Sequence, residues 1–322
     1  MSPPNNDNTP DGDTSSRSRP PPLLQRLARG IPTMLAVGIG IGALGSIAAI
    51  GFTHAVNYLN DSLFISLRSR ADIVDPARLA ALTLAVPAMG GLVVGLIISR
   101  IPGRRAHAPP DAIEAAHHVD SRMPLRAGLL TAVAAVIGLG SGASVGQYGP
   151  IVHMGATLGS VVARLRRDLG VIGIGCGVAA GISTAFSAPI AGILFAHEVV
   201  LRHYSWRAFA PVTIASAVGV VVGNFLFHQP VLLPVGYIED LKAVEYLVFA
   251  FIGIAGALVA VAFMRSVLAA TALAGRTRLP LPVRTTLAGA FTGALAIWLP
   301  DILSTGTLTL RLSIMDLYNP FE

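Results

Sequence analysis

Five long apolar stretches constrain this chain more than any other feature of its sequence. They are Thr33–Tyr58, Leu79–Ile101, Leu125–Gly142, Trp206–Phe227 and Tyr246–Ala270. An α-helix needs about 20 apolar residues to cross the roughly 30 Å hydrocarbon core of a bilayer. Of the 322 residues, 53% are hydrophobic and 12% are charged, whereas about a quarter of the residues in a soluble domain are charged. The sequence therefore predicts an all-α polytopic membrane protein that crosses the cell (inner) membrane several times.

A short break rich in glycine and proline, residues 146–150, lies inside the apolar region and leads directly into another apolar segment. Pro150 is predicted to occupy the first position of that helix, where its missing N–H has no intrahelical partner. The helix then begins at membrane depth, with unpaired N–H groups and the positive end of its dipole inside the bilayer. Irregular backbone at that depth occurs only where it is buried in protein or lines a water-filled path. The break therefore predicts an anion pathway.

The region from Arg126 to Arg202 consists of shorter apolar pieces that are separated by breaks. These breaks occur at Gly146–Pro150, Asp168–Gly170 and Ser187–Pro189. Pieces shorter than about 18 residues are typical of helices that do not cross the bilayer alone, and such broken segments indicate a transport site near the midplane. His153 and His197 lie in these apolar pieces, where ionisable side chains are unfavourable and are often functional.

Arginines near the ends of the first two spans predict the orientation of the chain. Residues 1–21 are mostly polar, and we expect residues 1–30 to form a disordered cytoplasmic tail. Arg26 and Arg29 precede the first span, and Arg104 and Arg105 follow the second. Because positive residues favour the cytoplasmic side, both of these segments are expected in the cytoplasm.

Other classes of function find little support in the sequence. The single cysteine, Cys176, excludes an internal disulfide. No basic run with interleaved aromatic residues is present, so nucleic acid is not an expected partner. His117, His118 and Asp120 are candidate metal ligands of a membrane-embedded enzyme, but adjacent helical histidines point about 100° apart and do not converge. No HExxH spacing occurs, and we expect no enzyme, no metal and no cofactor.

Two motifs resemble those of the CLC family of chloride channels and proton-coupled chloride transporters. Gly146–Pro150 resembles the filter motif of that family, and Gly181–Phe195 with the following Glu198 resembles its next helix pair. Ala106–Pro110 stands where the family has a Gly-Ser-Gly-Ile-Pro motif. The resemblance, over residues 31–310, implies a CLC-type bundle of tilted and partly re-entrant helices in two inverted halves. It also implies a homodimer with one pore per subunit.

The resemblance further implies where the anion site lies. The first membrane half, residues 31–205, carries the motifs, and residues 206–322 form a partial second half. Chloride or a similar small anion is expected near the membrane centre, where helix N-termini and hydroxyl groups bind it. The implied filter residues are His107, Gly146, Gln147, Tyr148, Gly149, Pro150, Phe186 and Ile190, with Tyr148 as the gate and Glu198 in a supporting role.

Two positions differ from the proton-coupled members of the family. Tyr148 replaces the gating glutamate, and Val199 replaces an internal glutamate. A glutamate at the gate can occupy the anion site and carry a proton, whereas a neutral tyrosine only donates or accepts a hydrogen bond. The resemblance therefore predicts channel-like chloride conduction that is not coupled to protons.

Two further departures leave alternatives open. His107 replaces the serine that touches the anion. Its imidazole can donate one N–H and changes its charge near neutral pH, which predicts a pH-sensitive anion site; the alternative is a histidine that only packs beside the cytoplasmic arginines. The family's later Gly-x-Phe-x-Pro helix start has no counterpart in this sequence, so we expect an incomplete second half. The alternative function is a non-conducting half-subunit whose missing helices come from a second chain.

Overall fold

The computed structural model describes residues 23–118, 120–227 and 243–306, together with Leu310. In this part of the chain the regular secondary structure is helical and includes no β-strand, as the apolar pattern predicts. The α-helices are α1 (Leu23–Ser62), α2 (Leu67–Ala71), α3 (Pro76–Ser99), α4 (Pro109–His117), α5 (Leu125–Gly140), α6 (Tyr148–Gly159), α7 (Val162–Leu165), α8 (Gly170–Phe186), α9 (Pro189–Phe195), α10 (Trp206–Val221), α11 (Ala243–Arg276) and α12 (Leu281–Ala296). Short 3-10 turns lie at Pro102–Arg104, Arg167–Leu169 and Pro300–Ile302, and π-helical segments at Ala196–Leu201 and Val222–Leu226.

Several helices are long and apolar enough to cross a membrane. Among the described residues they are Pro32–Ser62, Pro76–Ser99, Arg167–Phe186, Trp206–Phe225 and Glu245–Arg276. Four of these helices correspond to predicted spans. The predicted span at Leu125–Gly142 is wrong, because α5 has only 16 residues. The predicted interruption near Asp168–Gly170 is confirmed, because α7 ends at Leu165, Arg166 is extended with a φ of −144°, and a 3-10 turn at Arg167–Leu169 leads into α8.

The ends of the chain are described only in part. Helix α1 begins at Leu23, so residues 23–30, which the sequence assigns to the tail, are helical. Residues 1–22 and nearly all of the segment after Gly306 lie outside the described residues. The predicted division between the two membrane halves falls at Ser205, which caps α10 by accepting a hydrogen bond from the Ala208 N–H at 3.4 Å. The division itself stays a prediction.

Helix α8 forms the centre of the core, and glycine allows it to touch α6 at the level of the backbone. A Cβ atom added to Gly177 would lie 2.0 Å from the carbonyl oxygen of Gly155. One added to Gly159 would lie 2.0 Å from the carbonyl oxygen of Gly173. A Gly-x-x-x-Gly spacing on each helix therefore removes the side chains that would keep the two backbones apart.

Hydroxyl groups join α8 to the helices on its other sides. The Ser183 and Ser216 hydroxyl oxygens lie 2.6 Å apart, and the Ser216 hydroxyl donates to the Pro189 carbonyl at 2.6 Å. Ser46 and Thr184 hydroxyls lie 2.7 Å apart, which connects α1 to α8. Buried hydroxyls need partners in an apolar environment, so these pairs fix how α1, α9 and α10 pack around α8.

Helices α3 and α12 form a second close pair outside this core. A Cβ atom on Gly91 would lie 2.2 Å from the Thr285 carbonyl oxygen, and one on Gly289 would lie 2.1 Å from the Pro87 carbonyl oxygen. Helix α11 behaves differently, since none of the residues in its most apolar 18-residue window is buried. The fold therefore combines a dense core around α8, a peripheral helix pair and one apolar helix that faces outward.

Candidate anion-binding site

The backbone between α5 and α6 is irregular, as the Gly/Pro break predicts. Gly142 has a φ of +97° and Gly146 a φ of +26°, values that favour glycine over residues with a Cβ. Ser141 and Gly142 are buried, whereas residues 144–146 are exposed. Helix α6 begins at Tyr148 and not at Pro150, so the prediction that Pro150 is the first helical residue is wrong. Pro150 is the third, and its missing N–H is still one of the four without an intrahelical acceptor.

The aromatic rings of Tyr148 and Phe186 connect two of the motifs. They stack with centroids 4.1 Å apart and planes inclined by 24°. Phe186 is the last residue of α8, and the left-handed Ser187 that follows, with a φ of +53°, turns the chain into α9. The start of α6 and the passage from α8 to α9 therefore lie side by side.

The motif Ala106–Pro110 leads into the start of α4 and lies in the same region. A Cβ atom on Gly149 would lie 3.8 Å from the ring of Pro109, so the first turns of α4 and α6 are neighbours. The backbone N–H of His107, just before α4, donates a hydrogen bond to the Thr131 hydroxyl at 3.3 Å. The His107 ring lies 5.5 Å from the ring of His153, which is one turn inside α6. The positive ends of two helix dipoles and one imidazole thus converge, an arrangement that suits an anion.

An ion pair orders the start of α4. The Asp111 carboxylate accepts two hydrogen bonds from the Arg105 guanidinium, one of them at 3.0 Å, and another from the Ala108 N–H at 2.7 Å. Burial acts to raise the pKa of Asp111, but the hydrogen bonds from Arg105 and Ala108 together act more strongly and hold it below its usual value. Asp111 therefore stays charged and fixes the geometry of the segment that carries His107.

The remaining predicted site residues differ in how far they are buried. Gln147 is buried, and its backbone carbonyl oxygen accepts a hydrogen bond from the Ile151 N–H at 3.2 Å. Gly146 is exposed. Ile190, the second residue of α9, is 71% exposed, and no hydrogen bond or ring contact joins it to Tyr148 or His107 within the described structure. The structure thus stacks Tyr148 on Phe186 and places Gly149 beside Pro109, whereas the Ile190 side chain is largely exposed.

The π-helical segment Ala196–Leu201 carries the two positions where the family places acidic groups. His197 points into the core, where its Nδ1 lies 3.0 Å from the His203 carbonyl oxygen and its ring stacks on Tyr204. Glu198 and Val199 are exposed on the other side, so the adjacent His197 and Glu198 face different directions, as predicted. Glu198 makes no hydrogen bond or ion pair with any described residue, and its predicted supporting role stays a prediction.

One group of side chains is missing from the sequence-based prediction. His107, Asp111 and His153 each place a potential ligand atom within 4.8 Å of the others. Asp111 lies in the first turn of α4 and His107 precedes the helix, so the helical spacing rule does not predict their proximity. The third member lies on α6, and only the contact between α4 and α6 reveals it.

Apolar helices long enough to cross a bilayer, with the starts of α4 and α6 side by side, define a multi-pass membrane protein. Comparison with known proteins identifies its family. Residues 90–318 match the family model described as voltage gated chloride channel. The chain belongs to this CLC family, whose members are channels and transporters and not enzymes.

Individual relatives extend the likeness over most of the chain. A protein of Ralstonia nicotianae described as ClcB-like is 28% identical over 288 residues, which cover 85% of this chain and 65% of that protein. The voltage-gated ClC-type chloride channel ClcB of Escherichia coli O9:H4 is also 28% identical, with 86% and 68% covered. The chain thus spans about two thirds of the length of these relatives.

Solved structures share the fold. A slow cyanobacterial Cl⁻/H⁺ antiporter has a TM-score of 0.71 at 19% identity, and the match covers 89% of this chain and 68% of that structure. A CLC-type fluoride/proton antiporter has a TM-score of 0.70 at 19% identity, with 90% and 71% covered. These matches confirm the all-α polytopic membrane fold of the CLC type.

Proposed function

We propose that this chain conducts chloride or a similar small anion across the membrane without exchanging protons. The observation that carries the proposal is Tyr148, a neutral residue at the start of α6 that stacks on Phe186. An anion beside it would accept hydrogen bonds from the phenol hydroxyl and from the unpaired N–H groups of the helix start. No carboxylate occupies this position to compete with the anion or to carry a proton.

The surrounding helices support anion binding at this place. The first turns of α4 and α6 adjoin through Pro109 and Gly149, and each helix start carries the equivalent of about half a positive charge. His107 can add one imidazole N–H from the segment before α4. We place Gly146, Gln147, Pro150 and Ile190 in the same filter, as the family motif implies.

Val199, the second position that differs from the proton-coupled members of the family, supports conduction that is not coupled to protons. Val199 has no titratable group, so it cannot pass a proton between the gate and the other side of the membrane. The name of the E. coli relative describes a channel, whereas the titles of the two similar structures describe antiporters. Coupling to protons is therefore the competing mode, and the residues at 148 and 199 favour the uncoupled one.

We further propose that the chain acts in the cell (inner) membrane as a homodimer, the typical assembly of this family. A subunit that conducts only with a second chain is the other candidate. One observation favours it: nearly all described residues of the apolar helix α11 are exposed, and α11 makes no extensive contact with another described helix. A partner helix or lipid would cover that surface.

Chloride efflux from liposomes that contain the purified chain tests the proposal, with the external pH recorded at the same time. We expect chloride loss without proton movement. Proton movement in fixed proportion to chloride would show the coupled mode and contradict the proposal. Absence of flux from a folded, monodisperse protein would favour the partner-dependent subunit, and restoration of flux by a co-expressed CLC chain would establish it.

The variant Tyr148→Phe tests the role of the gate. It keeps the ring that stacks on Phe186 and removes only the hydroxyl that donates to the anion. A lost hydrogen bond of about 1 kcal/mol predicts a rise of roughly fivefold in the chloride concentration that gives half-maximal flux. Tyr58→Phe is the matched control, because Tyr58 is 72% exposed on α1 and should leave the flux unchanged. Equal flux from wild type and Tyr148→Phe would remove Tyr148 from the site.

A further inference from the structure

Three side chains from two segments converge at the start of α4. His107 precedes the helix, Asp111 lies in its first turn, and His153 reaches them from α6. One nitrogen of each histidine and one carboxylate oxygen all lie within 4.8 Å of one another. From this arrangement we propose a binding site for a divalent transition-metal ion, with Zn²⁺ as its simplest representative.

The ligand set suits this class of metal. Two imidazoles and one carboxylate bind Zn²⁺, Co²⁺ and similar borderline ions, whereas Ca²⁺ and Mg²⁺ prefer oxygen ligands alone. Around tetrahedral Zn²⁺, with bonds of about 2.0–2.1 Å, ligand atoms lie roughly 3.4 Å apart. Small rotations of the three side chains close the remaining difference. Three protein ligands leave a fourth position open, as in zinc sites that bind an exchangeable group.

His153 gives independent evidence for a ligand. Its side chain is 1% exposed, and its Nε2 atom is buried without a hydrogen-bond partner. Buried polar atoms without partners are rare because burial removes their hydrogen bonds to water. A metal ion held also by His107 and Asp111 would supply the missing interaction.

The Asp111 carboxylate is already oriented for this role. Hydrogen bonds from Arg105 and from the Ala108 N–H hold it in place, as is common for carboxylates that bind metals. The Arg105 side chain is 60% exposed, so it can move aside when a cation approaches. The Asp111 charge offsets part of the metal charge, and an anion in the fourth position would offset more of it.

A cavity gives the site access to solution. It has a volume of about 180 Å³, and its lining includes His107, Asp111, Glu114, His118 and Arg122. A metal ion can therefore reach two of the three ligands through this cavity. If the chain conducts anions as proposed above, an ion at His107 would slow their passage, because it would occupy a filter residue.

The first test measures metal binding alone, in detergent and without any flux. Titration of the full chain with Zn²⁺ should show one site per chain, and Co²⁺ should give the visible absorption of tetrahedral cobalt. Removing a ligand should weaken binding at least about tenfold, in each of the variants His107→Gln, Asp111→Asn and His153→Gln. His117→Gln is the matched control, because His117 is exposed on the same helix and its Nδ1 lies 2.8 Å from the Ile113 carbonyl oxygen.

The outcomes separate the metal site from the transport function. Zn²⁺ affinity that is unchanged in folded, monodisperse His107→Gln and Asp111→Asn would overturn the proposal even if His153→Gln does not fold. Loss of affinity in His117→Gln would also overturn it. Liposome efflux with Zn²⁺ and then with a chelator forms the second arm. Metal binding without an effect on flux would keep the site and remove its influence on conduction.

Discussion

Helices α8 and α11 are both apolar and long, yet they occupy opposite environments. In the span that contains α8, 83% of the most apolar 18-residue window is buried inside the protein, whereas in α11 none is. The most apolar 18-residue window of α11 nevertheless has a higher mean hydropathy than that of the span containing α8, 2.7 against 1.8. Its Phe251, Leu258 and Phe263 are exposed, and they suit contact with lipid.

The glycines of the two helices explain the contrast. A Cβ atom on Gly170, Gly173 or Gly177 would collide with a neighbouring backbone or side chain, whereas one on Gly253 or Gly256 would meet nothing within 4 Å. In a bilayer, water does not drive helices together, and close packing of small residues takes over that role. Helix α8 therefore lies at the centre of the core because its small residues let neighbouring helices approach closely, and not because of its hydropathy.

The largest expected effect comes from filling the contact between α6 and α8. Gly177→Leu would place side-chain atoms where the Gly155 carbonyl stands, and backbone cannot move away cheaply in a dense core. We expect little or no folded, monodisperse protein on size exclusion in detergent. Gly256→Leu in α11 is the matched control and should give a wild-type yield. Equal yields of the two variants would contradict the contrast between the helices.

A smaller effect is expected when a buried side chain of α8 is shortened. Ile174 has no exposed surface, and Ile174→Ala leaves a cavity that costs about 2–5 kcal/mol. Leu258→Ala in α11, at a position 68% exposed, should change stability by no more than about 0.5 kcal/mol. Thermal unfolding in detergent measures both, and similar shifts would show that α11 is also packed against protein.

The smallest of the three effects concerns a single hydroxyl. Ser216→Ala removes the partner of Ser183 and the donor to the Pro189 carbonyl, and should cost about 1 kcal/mol. Ser266→Ala in α11 removes only a bond to the Ala262 carbonyl of the same exposed helix. We expect it to be nearly neutral in the same unfolding measurement. If Ser216→Ala is neutral as well, the hydroxyl pairs do not fix the packing around α8.

Several elements of the fold were predictable from local patterns. Apolar length predicted α1, α3, α10 and α11, because span length follows from bilayer thickness. The break before Tyr148 and the turn at Ser187–Pro189 were visible as Gly/Pro punctuation. The CLC motifs predicted that Ala106–Pro110 and Gly146–Pro150 form one site, and the contact between Pro109 and Gly149 agrees with this.

Other elements were beyond local patterns. The sequence overestimated α5, since apolar residues beyond a helix end look the same as those inside it. His153 was one of several histidines at membrane depth, and Asp111 was not singled out at all, because their proximity depends on how α4 packs against α6.

Hydropathy and Gly/Pro breaks act over one or two helical turns, so the all-α membrane class could be read from the sequence, and the motifs at Gly146–Pro150 and Gly181–Phe195 indicated the CLC family. The tertiary structure alone decided which apolar helix is buried and which faces outward, and it alone brought His107, Asp111 and His153 to one place. Those outcomes depend on contacts between residues far apart in the chain, whose backbones approach only where both helices carry small residues.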